Sequence, residues 1–198
     1  GNFDRVACWY DPLARLVFGK TQEQAAATFL PALPANGQVL LLGGGSGELL
    51  LRLRRQHPSL QIWYVEASAA MHLRARQRLQ RARLDAGIHW VQGHEGHLPP
   101  TLRVEVVITP FVLDLYAPAG LRQLMQRLNA RLLPGGQWLH TDFRLPPPGY
   151  SRWRARLLLS LMYTGFRLTA DIQAHKLPPM AATFDNLGYR QTACQDFM

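Results

Sequence analysis

The sequence predicts an α/β fold: a doubly wound, mostly parallel sheet with helices on both faces. Three observations carry that expectation. Short apolar runs alternate with longer amphipathic ones along most of the 198 residues. The first apolar run, Val39 to Leu42, breaks at Gly43-Gly44-Gly45-Ser46-Gly47 and passes straight into a helical run, Leu49 to Gln56. The second, Leu60 to Glu66, ends in a carboxylate 19 residues after Gly47, the distance one strand–helix–strand unit needs.

The elements follow in order. Helical character spans about Asp4 to Phe18 and again Thr21 to Leu33, where Thr21 and Gln24 form a weak capping box. Pro34-Ala35-Asn36-Gly37 separates this 1–36 helical cap from the first strand, Gln38 to Leu42. Ser68 caps a helix expected to run to Ala86 and stop at Gly87. Ile88 to Gln92 is the third strand, and Val104 to Ile108 the fourth, halted at Pro110. A helix from Pro118 to Leu132 leads through Leu133-Pro134-Gly135-Gly136 into a fifth strand, Gln137 to Phe143. Beyond Pro146-Pro147-Pro148 come helices over Tyr150 to Phe166 and Met180 to Asn186, then a final strand, Tyr189 to Asp196. Residues 1–198 make a single domain, with 145–180 placed to form a substrate lid.

The glycine bend and Glu66 lie at the ends of adjacent parallel strands, which makes a nucleoside site. Glycines Gly43, Gly45 and Gly47 leave no Cβ between backbone and ligand, and the helix that follows turns its free N–H groups to the same crevice. Glu66 stands where an acid accepts both hydroxyls of a ribose. A dinucleotide fingerprint, G-x-G-x-x-G, is excluded: its third glycine falls on Glu48 or Leu50 in the two available registers. The bland alternative is a bend that only packs tightly.

Composition bounds the rest. Apolar content of 47% and charged content of 18% describe a globular protein. No apolar run reaches a membrane span and no signal peptide is visible; Gly1 in place of Met suggests a processed or tag-derived end. Cys8 and Cys194 lack metal-like spacing and read as reduced thiols of a cytoplasmic protein. A net charge of +9 invites a nucleic-acid partner, yet the only lysines are Lys20 and Lys176. Arg74, Arg78 and Arg81 share one helix face, as solvated faces do, with no interleaved aromatics, so no stable nucleic-acid partner is expected.

The G-x-G-x-G bend, the acid ending strand two and Leu132-Leu133-Pro134-Gly135-Gly136 before strand five together resemble the class I S-adenosylmethionine-dependent methyltransferases. Phe3-Asp4-Arg5-Val6-Ala7, Tyr10-Asp11 and Leu187-Gly188-Tyr189 are similar to the ubiquinone/menaquinone-biosynthesis C-methyltransferase subgroup. The resemblance implies a Rossmann-like sheet, S-adenosylmethionine as cofactor and no metal. It also implies a last antiparallel strand, for which the sequence runs out at Met198: either the chain is trimmed or the sheet keeps an open edge. Two further departures stand out. Leu41 replaces the acid often found in strand one, leaving the methionine ammonium to Glu48, Asp11 or backbone carbonyls. His94 replaces an Asp at the adenine, leaving that role to Glu95 or the backbone.

The cofactor residues so implied are Gly43, Gly44, Gly45, Ser46, Gly47 and Glu66, with Ala67 and Met71 flanking the adenine and Glu95 and Gly96 at its edge. Thr109, Pro110 and Phe111 reach the sulfonium, and Tyr10 closes over the cofactor. For a general base the candidates are His140 and Asp142, which alternate with Arg144 at the end of strand five, and Asp114 after strand four. The bland alternatives are a core histidine and a loop-capping Asp. Trp153 and Tyr163 in the Arg-rich helix, together with Tyr116, are the acceptor candidates; that helix equally suits packing on the sheet or transient contact with anionic lipid. His94 and His97 flank Glu95 but lack further ligands for a metal.

The function expected is methyl transfer to oxygen or carbon of a small aromatic or quinone-like molecule. A non-catalytic S-adenosylmethionine-binding or interaction module is the first alternative and an RNA methyltransferase the second. Thr109-Pro110-Phe111-Val112 lacks the Asn/Asp-Pro-Pro-aromatic signature of amino-directed nucleic-acid enzymes, and the acidic motifs of aminopropyl transfer are absent.

Overall fold

The computed structural model describes residues 21–142 and 180–197. Helix α1 (Thr21–Ala27) precedes strand β1 (Gln38–Leu42), and α2 (Glu48–Gln56) precedes β2 (Gln61–Glu66). Then follow α3 (Ala69–Arg81), β3 (Ile88–Gln92), β4 (Val104–Pro110), α4 (Pro118–Asn129), β5 (Leu132–Thr141) and α5 (Met180–Asn186). Single helical turns occupy Leu30–Ala32, Glu95–His97 and Leu113–Leu115.

The five strands form one parallel sheet in the order β3-β2-β1-β4-β5. The order reverses at β1, between β2 and β4, and that switch opens a crevice beyond the strands' carboxyl ends. Alternation along β1 feeds two cores. Val39 and Leu41 pack with α1, α2 and α3 residues such as Ala26, Leu50 and Leu79 on one face. Leu40 and Leu42 pack with Leu121, Leu124 and Leu128 of α4 on the other, where Phe184 of α5 also rests. Helices therefore cover both faces, which is why the central strands are apolar at consecutive positions.

Four boundaries differ from expectation, one of them the end of α4 at Asn129 instead of Leu132. α1 gives way after Ala27 to an irregular stretch and the Leu30–Ala32 turn, instead of running to Leu33. α3 stops at Arg81 because Arg83 takes a left-handed conformation, φ 56°, and Leu84 N–H bonds the Leu79 carbonyl at 2.9 Å. The helix thus ends well before Gly87. β5 begins at Leu132: Val104 pairs with Leu132 and Val106 with Gln137, and the Leu133–Gly136 segment bulges between them. Gly136 allows this, since a Cβ there would meet the Glu105 carbonyl at 2.8 Å.

The strand expected over Tyr189 to Asp196 is a correction. Among the described residues no strand follows β5. The segment is largely exposed, held by Tyr189, whose hydroxyl donates to Asn129 Oδ1 at 2.6 Å while its ring meets Trp138 and Phe184 edge-on. Aromatic docking replaces ladder pairing there.

Candidate functional site

The bend after β1 is held by β2. Gly43 N–H continues the ladder to the Val65 carbonyl at 2.9 Å. Its glycines serve different ends. A Cβ on Gly43, at φ +74°, would stand 2.9 Å from the Val112 side chain; on Gly44 it would collide with the Tyr64 ring; on Gly47, at φ +83°, it would meet Ala75 Cα at 2.8 Å. Gly45 alone among these four, at φ +60°, meets nothing within 4 Å among the described residues. Close packing accounts for three glycines and leaves one facing open space. Ser46 is half-buried beside it.

Glu66 faces this opening. Its Oε2 accepts the Gly45 N–H and its Oε1 the Ser68 N–H, each at 2.9 Å. The carboxylate is thereby aimed at the one open glycine. Ser68 Oγ in turn accepts the Met71 N–H at 3.2 Å, so the start of α3 is tied to the same corner. Met71 is buried under this cap, and Ala67 is exposed at its rim.

The β4 side forms the opposite wall. Phe111 takes a left-handed conformation, φ 51°, uncommon for a bulky residue, and its N–H donates to the Thr141 carbonyl at 2.7 Å. That turn swings Val112 against Gly43. Thr109 is directed elsewhere. Its fully buried hydroxyl accepts Trp138 Nε1–H at 3.0 Å and lies 3.4 Å from His140 Nδ1, inside the second core. Pro110 is buried as the last residue of β4.

The three candidate bases meet at the ends of β4 and β5. Asp142 Oδ2 accepts the Asp114 N–H at 3.1 Å, so it caps the Leu113–Leu115 turn, and Asp114 itself is 2% exposed. His140 packs against the Phe184 ring at 5.4 Å. Burial drives its pKa down to about 4, against a small opposing contribution from Thr109, so it is neutral near pH 7.

Glu95 is placed differently from the exposed adenine edge expected for its carboxylate. It is 5% exposed and accepts Arg127 Nε at 2.8 Å and Nη2 at 2.7 Å. A buried carboxylate needs such a partner, and α4 supplies one. Gly96 remains exposed, its N–H held by His94 Nδ1 at 3.1 Å. His97 Nδ1 accepts from the His94 N–H at 3.3 Å, so both imidazoles cap a single helical turn. Tyr116 lies half-buried beside the Glu95–Arg127 pair. Burial first and the Glu95 charge second raise its pKa, with Arg127 pulling the other way.

Glu48 begins α2 beside the bend, but arginines hold it. It pairs with Arg78 and lies 3.6 Å from Arg52, which also reaches Glu23 at 3.3 Å. Leu41 is fully buried among apolar neighbours. Other arginines are occupied too: Arg54 donates to the Leu60 carbonyl at 2.8 Å, and Arg76 lies 5.8 Å over the Trp90 ring. Sequence reasoning passed over Tyr64 and Val112. Their one visible signal was position, since Tyr64 sits two residues before Glu66 and shares its face. Tyr10, Asp11, Arg144, Trp153 and Tyr163 lie outside the described residues, as does nearly all of the 145–180 lid.

Residues 39–136 match a family model described as a methyltransferase domain. The chain is 26% identical over 163 residues to the ubiquinone/menaquinone biosynthesis C-methyltransferase UbiE of Dinoroseobacter shibae, covering 77% of this chain and 62% of that protein. The same protein of Cereibacter sphaeroides is 26% identical over 162 residues, with the same coverage. The chain thus spans less than two thirds of these relatives' length. Among solved structures it is similar to the calicheamicin-biosynthesis methyltransferase CalO1 bound to S-adenosylhomocysteine, with TM-score 0.62 and 19% identity over 96% of this chain and 55% of that one. The mitomycin 7-O-methyltransferase MmcR gives TM-score 0.60 and 20% identity over 80% and 48%. These structures share the fold.

Proposed function

We propose that the chain is a class I S-adenosylmethionine-dependent methyltransferase that methylates oxygen or carbon of a small aromatic or quinone-like molecule. One observation carries the reading: the Glu66 carboxylate bonds the N–H of Gly45, the one glycine of the bend whose Cβ position is open among the described residues. An acid at the end of the second strand of such a unit is placed to accept the hydroxyls of a ribose. Gly45 and Glu66 hold the ribose in this reading, with Ser46 beside them. Ala67 and the exposed backbone at Gly96 border the adenine, and Phe111 stands at the far rim.

S-adenosylmethionine supplies a methyl group already activated on a sulfonium. The protein's share is to align the acceptor, keep water out and take up a proton where the acceptor releases one. Asp142 and Asp114 border that wall, and neutral His140 two residues from Asp142 is a weak base at best, given its lowered pKa of about 4. Tyr116, and Trp153 and Tyr163 of the 145–180 segment, are the acceptor-side aromatics. The working compartment is the cytoplasm, with transient contact at a membrane surface where quinone-like acceptors partition. Among the described residues no helix is long and apolar enough to cross a membrane.

Calorimetric titration with S-adenosylmethionine and S-adenosylhomocysteine tests the site directly. Both bind in the micromolar range, and Glu66→Ala costs about 1–3 kcal/mol of that affinity through the lost hydroxyl bonds. Unchanged affinity in that variant places the ribose elsewhere. A second reading, a module that binds the cofactor without transferring its methyl, is favoured by Leu41 and by the arginine-bound Glu48. Tight binding without labelled methyl transfer to any quinol or phenol tried would select it.

A further inference from the structure

Tyr64 is fully buried on β2, two residues before Glu66 and opposite Leu41 in the β1–β2 register. Its ring is wedged between His72, at 6.0 Å, and Trp90, at 5.2 Å, and fills the place of a Gly44 side chain. Its hydroxyl donates to the Gly45 carbonyl. Two side chains of one strand therefore seize the two peptides flanking Gly45 Cα: Glu66 holds the N–H on one side and Tyr64 the C=O on the other. Those two bonds fix φ and ψ of a residue that has otherwise the widest backbone freedom of any.

A trans peptide sets its C=O and N–H in opposite directions. With the Gly45 carbonyl drawn to the Tyr64 hydroxyl, the Ser46 N–H of the same peptide points away from that ring. A bend without this anchor is free to rotate the Gly45–Ser46 peptide and withdraw that donor. We propose that Tyr64 is a positioning residue for cofactor binding, acting through the Gly45 carbonyl to aim the Ser46 N–H at the adenosyl ligand. The proposal rests on the methyltransferase reading of the same site.

Tyr64→Phe keeps the ring and removes only the hydroxyl. It weakens S-adenosylhomocysteine binding by roughly three- to tenfold in calorimetry, in keeping with the loss of one hydrogen bond. The unliganded melting temperature moves by no more than a few degrees. The NMR amide signals of Gly45 and Ser46 shift and exchange faster. Because Tyr64 and Glu66 act on the same backbone unit, Tyr64→Phe combined with Glu66→Gln weakens binding by less than the product of the single effects. Wild-type affinity in Tyr64→Phe, or losses that multiply independently, overturns the role of Tyr64 while leaving the site intact. Wild-type protein that takes up no S-adenosylhomocysteine at millimolar concentration overturns the proposed function and this role together.

Discussion

Gly47 lies so close to Ala75 that a Cβ on the glycine would stand 2.8 Å from Ala75 Cα, a backbone atom unable to step aside. Two residues earlier, a Cβ on Gly45 would meet nothing within 4 Å among the described residues. The bend therefore separates a glycine needed for packing α2 onto α3 from one facing the crevice. Gly47→Ala joins this clash to a left-handed φ and is expected to destabilise by about 2–4 kcal/mol. Gly45→Ala bears only the left-handed cost, about 1–2 kcal/mol, but places a methyl where the ligand approaches. Thermal unfolding ranks Gly47→Ala as the less stable variant, while titration with S-adenosylhomocysteine shows Gly45→Ala losing at least tenfold in affinity. Equal stability losses would contradict the division.

Removing Arg127 strands a buried carboxylate. Arg127→Ala leaves Glu95, 5% exposed, without its guanidinium. Since Arg127 itself is half-exposed, the loss is set at about 1–3 kcal/mol instead of the larger figure for a fully buried pair. Urea unfolding of Arg127→Ala and of the double variant with Glu95→Gln checks this: neutralising the stranded acid restores part of the stability.

Acid weakens the fold through His140. The folded protein resists protonating this imidazole until about pH 4, whereas the unfolded chain takes the proton near the ordinary value of 6.5. Stability is therefore fully present above about pH 6.5 and falls as pH drops toward 4, by about 3 kcal/mol over the window. His72, lowered by burial and then by Arg76, works in the same direction. His140→Gln flattens the melting temperature against pH in this range; an unchanged slope would show that His140 titrates normally.

Tyr189→Phe removes the hydroxyl bond to Asn129 and keeps the ring against Trp138 and Phe184. About 1 kcal/mol of stability is lost. Proteolysis between Leu187 and Phe197 quickens, since the described chain there has no strand to hold it. Cleavage at the wild-type rate would mean that the rings alone dock the segment.

The alternation of strands and helices, the glycine bend and the carboxylate at the end of β2 were all legible in the order of residues. Those follow from periodicity and from residues whose backbone preferences act locally. Ser68 as the cap of α3 was legible for the same reason. Tertiary structure alone decided what each group spends itself on. Glu95 and Glu48 read as ligand-facing acids until arginines from other helices claimed them. Gly43 and Gly47 read as ligand clearance until Val112 and Ala75 filled the space beside them. The end of α3 at a left-handed Arg83 and the non-strand course of 189–196 were equally out of reach. A hydrogen bond or a packing contact between residues far apart in the chain depends on where the sheet brings them, and no spacing along one strand records that.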